Sequence, residues 1–344
     1  MPKQKRILIV RTDRVGDVVV MTPMIRELKL AFPDSFIGAM TNVNNSQILD
    51  NNPYLDCIIK DDLKKESFWQ IVKTIRSYKF TDALLVLPTE RAAYQLFFAG
   101  IKNRVGVGRI LYEVITFMKS VSRNNYIPLR HEADYSMDLA RKIGVVTDNL
   151  QPEIFLSGTD RNNANKFFID NNISLSAHKV FLHTGSKGSG PNWCEDKYLE
   201  FLSQMLPLFG GKEVTVLLTA LEMSESFAKQ AVKIGNGKVI DISKKINTLR
   251  DMISIIGQSN LVISNSTGPM HIASGLQMNS IALFCRRPMS CVKRWGAISP
   301  NAVNLEVTEE NCNKYCNQAN DKCGFDNAMP IDIVLDAVKR NINK

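Results

Sequence analysis

The chain has 344 residues, enough for two ordinary domains, and its 44% hydrophobic and 22% charged residues are the balance of a globular protein rather than a disordered one. No apolar run approaches the ~18–20 residues of a membrane span, and seven cysteines, an odd number in a chain of this size, do not read as a disulfide framework. The net charge of +9 is uneven: residues 1–150 hold 22 Lys+Arg against 16 Asp+Glu, the remainder 21 against 18. The first half therefore suits an anionic partner, a phosphate-bearing lipid, a nucleic acid or an acidic sugar, unless the charge serves solubility alone.

The basic tip Met1–Arg6 runs directly into apolar residues without a long apolar region or cleavage site, so no secretory signal is expected and the expected location is cytoplasmic. Arg6-Ile-Leu-Ile-Val-Arg11 predicts a central strand and Thr12–Asp17 the turn after it. Val18–Phe32 predicts a helix, with Pro23 early enough to be tolerated. Strands are expected at Phe36–Met40, Asp56–Ile59 and Ala83–Leu87, and helices at Phe68–Tyr78 and Arg91–Ile101. Arg104–Gly108 reads as a strand or a sharp turn. The apolar segment Ile110–Val121 predicts a packed core helix, with a helix lying on lipid as the less favoured alternative. A helix over Ala133–Ile143 ends at Gly144, and Val145–Gly158 lacks periodicity, which makes it the linker.

The pattern then restarts. A helix at Asp160–Asn171 precedes a strand at Val180–Thr184 and the Gly/Ser turn Gly185–Pro191. Helices are expected at Glu195–Phe209, Glu222–Ile234, Leu249–Ile256 and Ile331–Asn341, and strands at Val214–Leu218, Lys238–Ile242, Leu261–Ile263 and Ser280–Phe284. Strands alternating with amphipathic helices predict parallel α/β sheets in two halves, with ligands beyond the carboxyl ends of the strands.

Leu261-Val-Ile-Ser-Asn-Ser-Thr-Gly-Pro-Met-His271 is the most informative stretch: a buried strand, a small-residue turn, then a helix with Pro269 in its first turn. Such a unit aims backbone N–H groups and the positive end of a helix dipole at one point, which suits a diphosphate. His271 can reach the same anion, or can simply be satisfied by a carbonyl. The first turn lacks Gly-x-Gly-x-x-Gly, which argues against a dehydrogenase. Cys312, Cys316 and Cys323 do not have paired Cys-x-x-Cys spacing, so a structural role is expected before zinc.

With these pieces placed, the chain resembles the family-9 glycosyltransferases, the bacterial ADP-heptose:lipopolysaccharide heptosyltransferases. The motifs are Ile7–Val18 followed by Thr22-Pro23, His183-Thr-Gly-Ser186 with Trp193, Ser266-Thr-Gly-Pro-Met-His271, and Arg294-Trp-Gly296. The resemblance implies a GT-B fold, two Rossmann-like domains facing across a cleft. Residues 1–150 would bind the acceptor and 151–344 the nucleotide-sugar. It implies an inverting transfer of a heptose from ADP-heptose to a lipopolysaccharide core acceptor, without metal or other cofactor. The absence of any Asp-x-Asp pair agrees with a metal-free site. Asp17 matches the family's proposed base, and Arg11 and Arg14 would favour its charged form. From spacing alone it could instead cap the helix. Thr184, Gly185, Ser186, Ser266, Thr267, Gly268 and His271 map onto donor loops, with Lys187 as a cation. Glu222 would hold the ribose, with Glu225 as its rival. The implied acceptor is an anionic lipid-linked saccharide, reached by peripheral contact with the inner membrane's cytoplasmic face; no nucleic-acid partner is implied. Two positions depart from the pattern: some heptosyltransferases carry Asp at Ser266 and Lys at Pro191. They leave a different nucleotide-sugar donor, or a homologue that binds without transfer, as the alternatives.

Overall fold

The computed structural model describes residues 4–62, 64–108, 110–186, 188–316 and 323–342. They form two compact units, residues 1–155 and 156–344.

The first unit runs β1 (Arg6–Val10), α1 (Val15–Ala31), β2 (Phe36–Asn42), β3 (Cys57–Asp61), α2 (Phe68–Ser77), β4 (Asp82–Leu85), α3 (Glu90–Phe98), β5 (Asn103–Val107), α4 (Leu111–Ile115), β6 (Lys119–Val121) and α5 (Glu132–Arg141). Its six strands pair in the order β3-β2-β1-β4-β5-β6, all parallel. Ile7 to Val10 are buried throughout, as a strand covered on both faces requires.

Helix α1 begins three residues earlier than the sequence predicts, so Gly16 and Asp17 belong to its first turn. Every residue from Val18 to Leu28 is buried, and a helix buried on all sides shows no apolar stripe to mark where it starts. Pro23 is thus well inside the helix rather than near its beginning. It is tolerated because the Thr22 hydroxyl donates to the Val19 carbonyl at 2.7 Å, which a proline nitrogen cannot do. The same hydroxyl accepts from the Glu153 backbone N–H at 2.9 Å.

The core helix expected over Ile110–Val121 is not there. A five-residue helix, α4, is followed by the short strand β6. Glu113 is the buried member of α4, while Leu111, Val114 and Ile115 are exposed. The Glu113 Oε1 accepts from the Val107 N–H at 2.9 Å, so a polar side chain anchors α4 and its apolar residues point outward.

The second unit runs α6 (Gly158–Asp170), β7 (His178–His183), α7 (Glu195–Met205), β8 (Val214–Thr219), α8 (Glu225–Gly235), β9 (Val239–Asp241), α9 (Leu249–Ile256), β10 (Leu261–Asn265), α10 (Gly268–Gly275), β11 (Ser280–Phe284), α11 (Val292–Trp295), β12 (Ala302–Glu306), α12 (Glu309–Tyr315), α13 (Phe325–Ala328) and α14 (Ile331–Ile342). Its strands pair in parallel in the order β12-β11-β10-β7-β8-β9. Strand β12 was not foreseen. It lies at the sheet's edge, and its half-buried residues give neither an apolar run nor an alternation. Phe201, Leu218, Ile263 and Val334 lie in the core, where Cys312 is buried and Cys316 and Cys323 pack against it.

Candidate active site

In a doubly wound sheet, neighbouring strands whose connections leave in opposite directions open a crevice at their carboxyl ends. That point lies between β1 and β4 in the first unit and between β7 and β10 in the second. Most of the residues singled out from the sequence sit on the loops that leave these strands.

In the first unit, β1 is followed directly by Arg11, a buried guanidinium that gathers three carboxylates. Its Nε donates to Asp13 at 3.1 Å, one terminal nitrogen donates to Asp17 at 2.5 Å and to Glu132 at 3.2 Å, and the other donates to the Ser136 hydroxyl at 2.9 Å. Arg123 reaches the same Glu132 oxygen at 3.3 Å. Burial opposes the charge on Arg11, but Asp13, Asp17 and Glu132 more than offset it and hold the guanidinium charged far above any working pH. Burial pushes the Asp13 carboxyl up to about 6, with Asp17 adding to the effect and Arg11 opposing it. Asp17 keeps 16% of its side chain exposed. The N-cap of α1 is Arg14, with no side-chain cap bond, so the reading of Asp17 as the cap of a helix starting at Val18 does not hold. Glu132 and Ser136 were missed because they lie on α5, more than a hundred residues away, and only the fold brings them to Arg11. Asp13 stood in the quoted turn, but spacing gave no reason to prefer it.

In the second unit, β7 pairs with β8 on one side and β10 on the other, so His183 has Thr219 and Ser264 as register partners. His183 Nδ1 is 2.8 Å from the Thr219 hydroxyl. Thr184 is buried, and its N–H and hydroxyl both donate to the Thr219 carbonyl at 3.1 Å. The Ser186 N–H donates to Glu222 Oε2 at 3.1 Å. A Cβ on Gly185 would fall 2.6 Å from Glu222 Oε1, so the close approach of loop and carboxylate relies on glycine. Helix α8 starts at Glu225, so Glu222 precedes the helix predicted to contain it. Glu225 instead faces Lys229 and Lys244 on an exposed surface. Lys187 lies outside the described residues.

The Ser189 hydroxyl donates to the Ser266 carbonyl at 3.3 Å and ties the loop after β7 to the turn after β10. Thr267 is the N-cap of α10 and makes no side-chain cap bond; its hydroxyl is 2.9 Å from that of Ser264. Gly268 opens α10 and Pro269 follows in its first turn. Proline has no N–H, so Gly268 and Met270 carry the first backbone N–H groups of this helix. His271 is buried beside them, edge-on to the ring of Trp295 at 5.9 Å between centroids. That contact links two of the quoted motifs. Trp193 serves the core instead: it is buried, and its indole N–H donates to the Met329 carbonyl at 3.0 Å. Asn265, which the sequence did not mark, braces the turn from below: its amide donates to the Tyr198 hydroxyl at 3.1 Å and to Asn192. Among the described residues, no group of three or more His, Cys, Asp or Glu is placed to hold a metal ion, and no helix is long and apolar enough to cross a membrane.

Two doubly wound parallel sheets in one chain, each with polar loops at its switch point, are the architecture of the GT-B fold. The profile of glycosyltransferase family 9 (heptosyltransferase) matches residues 68–323. Lipopolysaccharide heptosyltransferase 1 of Campylobacter coli is 21% identical over 296 residues, 82% of this chain and 84% of that protein. The crystal structure of the family 9 glycosyl transferase from Veillonella parvula superposes with a TM-score of 0.83 at 21% identity, covering 100% of this chain and 99% of the other. The Escherichia coli ADP-heptose lps heptosyltransferase II superposes at 0.76 and 16% identity, over 98% of both chains. This chain belongs to glycosyltransferase family 9.

Proposed function

We propose that the enzyme moves a heptose from ADP-heptose to a lipopolysaccharide core acceptor with inversion at the transferred carbon. The first unit would bind the acceptor and the second the donor. An acceptor hydroxyl oxygen forms the new bond to the anomeric carbon as the bond from that carbon to the diphosphate breaks. The bonding pair leaves with ADP, and the hydroxyl proton passes to the Asp17 carboxylate. Positive charge grows on the sugar ring and negative charge on the departing diphosphate. The Gly268–His271 turn supplies N–H groups and the positive end of α10 to that diphosphate, with Thr184, Gly185, Ser186, Ser266 and Thr267 lining the donor loops; Lys187, outside the described residues, is proposed as a cation for the same diphosphate. Glu222, already bonded to the Ser186 N–H, offers its carboxylate to the ribose hydroxyls.

The observation that carries this reading is the partly exposed Asp17 carboxylate fixed by Arg11 at the first unit's switch point. Family membership and the relative named a lipopolysaccharide heptosyltransferase support heptose and a lipid-linked acceptor. A screen of nucleotide-sugars by thermal shift, followed by ADP release on adding a lipopolysaccharide-core acceptor, tests it. ADP-heptose should raise the melting temperature most and release ADP only with acceptor. A larger shift with a uridine nucleotide-sugar would replace the donor. Binding without ADP release under any acceptor would leave a nucleotide-sugar-binding homologue.

A further inference from the structure

The first unit presents an apolar face that its own core does not use. Trp69 on α2 is 62% exposed, Leu111 on α4 is 73% exposed and Phe117 just beyond α4 is 79% exposed. Phe97 and Phe98 at the end of α3 join them: the Phe98 ring lies 5.3 Å from Trp69 and 5.5 Å from Phe97, centroid to centroid. Arg104 ties the end of α3 to the segment after α4: its guanidinium sits 5.3 Å from the Phe97 ring and donates to the Thr116 carbonyl next to Phe117 in the chain. Phe117 also holds a left-handed backbone at φ 53°, which disfavours a bulky side chain. The polarity of α4 is reversed for a core helix, with its glutamate inside and its leucine, valine and isoleucine outside. A segment that sequesters its charge and displays its hydrocarbon is shaped for an apolar environment other than this unit's core.

The charge of the segment that carries these side chains indicates what covers them. Residues 64–119 carry ten Lys+Arg against four Asp+Glu, and two of those acids, Asp82 and Glu113, are buried. Lys64, Lys65, Lys73, Lys102 and Lys119 are all exposed. Lysine is depleted from protein–protein interfaces, whereas exposed aromatic and aliphatic side chains together with exposed lysines are the composition of a surface that enters the headgroup region of an anionic membrane.

We propose that the face formed by α2, the end of α3 and α4 seats the enzyme on an anionic lipid bilayer. Trp69, Leu111 and Phe117 enter the acyl boundary and the lysines meet the lipid phosphates. This rests on the reading above that the acceptor is lipid-linked, and it names the surface that brings the enzyme to that acceptor.

Co-sedimentation of the full chain with vesicles tests the proposal. The wild type should pellet with phosphatidylcholine–phosphatidylglycerol vesicles far more than with phosphatidylcholine alone. Leu111→Ser together with Phe117→Ser should lower that binding at least roughly tenfold, and Lys102→Glu with Lys119→Glu should lower it by a comparable factor that shrinks at high salt. Trp69 fluorescence should shift to the blue on anionic vesicles, and Trp69→Phe should abolish the shift. These side chains are exposed, so unchanged melting temperatures should show that the variants fold. Absence of wild-type binding, equal binding by the Leu111/Phe117 variant, or a wild-type dimer that this variant dissociates without any vesicle binding would overturn the proposal. Transfer assays separate it from the acceptor reading. The variant should lose rate on vesicle-embedded acceptor and keep wild-type kcat/KM on a deacylated, water-soluble one. Vesicle binding by an enzyme that transfers to neither acceptor would leave the surface standing and overturn the acceptor reading.

Discussion

Asp13 and Asp17 share one guanidinium yet face different surroundings. Burial and the neighbouring Asp17 raise the Asp13 carboxyl from an ordinary 3.8 to about 6. Between those two values the folded state binds more protons than the unfolded one, so Asp13 makes the protein more stable as the pH falls through 6 towards 3.8. Above 6 the charged Asp13 is a standing cost to the fold. Asp13→Asn lacks this titration. The unfolding free energy of the wild type, measured by denaturant, should therefore gain on that of Asp13→Asn as the pH is lowered across this window. A difference between the two that does not vary with pH would show that Asp13 has an ordinary pKa. The Thr22 hydroxyl makes a second prediction. Thr22→Val keeps the side chain's shape and leaves the buried Val19 carbonyl without that donor, which should cost about 1–3 kcal/mol in urea unfolding. A change within error of zero would mean that water or a shift of the helix satisfies the carbonyl.

At the scale of elements, the loop after β7 works through a contact between a glycine and a carboxylate. A methyl group on Gly185 would displace Glu222, and with it the bond to the Ser186 N–H. Gly185→Ala and Glu222→Ala should each weaken ADP binding by on the order of tenfold in calorimetry, about 1.4 kcal/mol. Because both act on one contact, the double variant should bind about as well as either single one. Fully additive losses would mean that the two residues meet the nucleotide separately. The elements also show what the sequence could and could not reveal. Strands β1, β7, β10 and β11 were legible because a strand buried on both faces is a continuous apolar run. The start of α1 was not, since Val15 and Gly16 read as part of a turn and the helix carries no polar face. Strand β6, three residues long, and β12 at an edge left no pattern to read. Residues 110–121 are apolar as read, but only Leu111–Ile115 is helical and its apolar residues are exposed, because apolar spacing reports neither where a helix stops nor which way its face points.

For the whole molecule, the two-sheet architecture and the family were legible from strand–helix alternation and four ordered motifs. The loops proposed to bind the donor could be picked out because each is contiguous in sequence. The Arg11 cluster was only half legible: Asp17 stands in a motif, whereas Glu132 and Ser136 reach Arg11 only once α5 packs against α1. The account rests most heavily on Asp17 taking the proton from the acceptor while the second unit holds the nucleotide. The direct test is to measure ADP release and donor affinity side by side for the wild type and Asp17→Asn, using ADP-heptose and a lipopolysaccharide-core acceptor. Turnover should fall by ~10²–10⁴, the range for loss of a general base, with the dissociation constant of the donor unchanged. An Asp17→Asn enzyme that turns over at the wild-type rate would contradict the account.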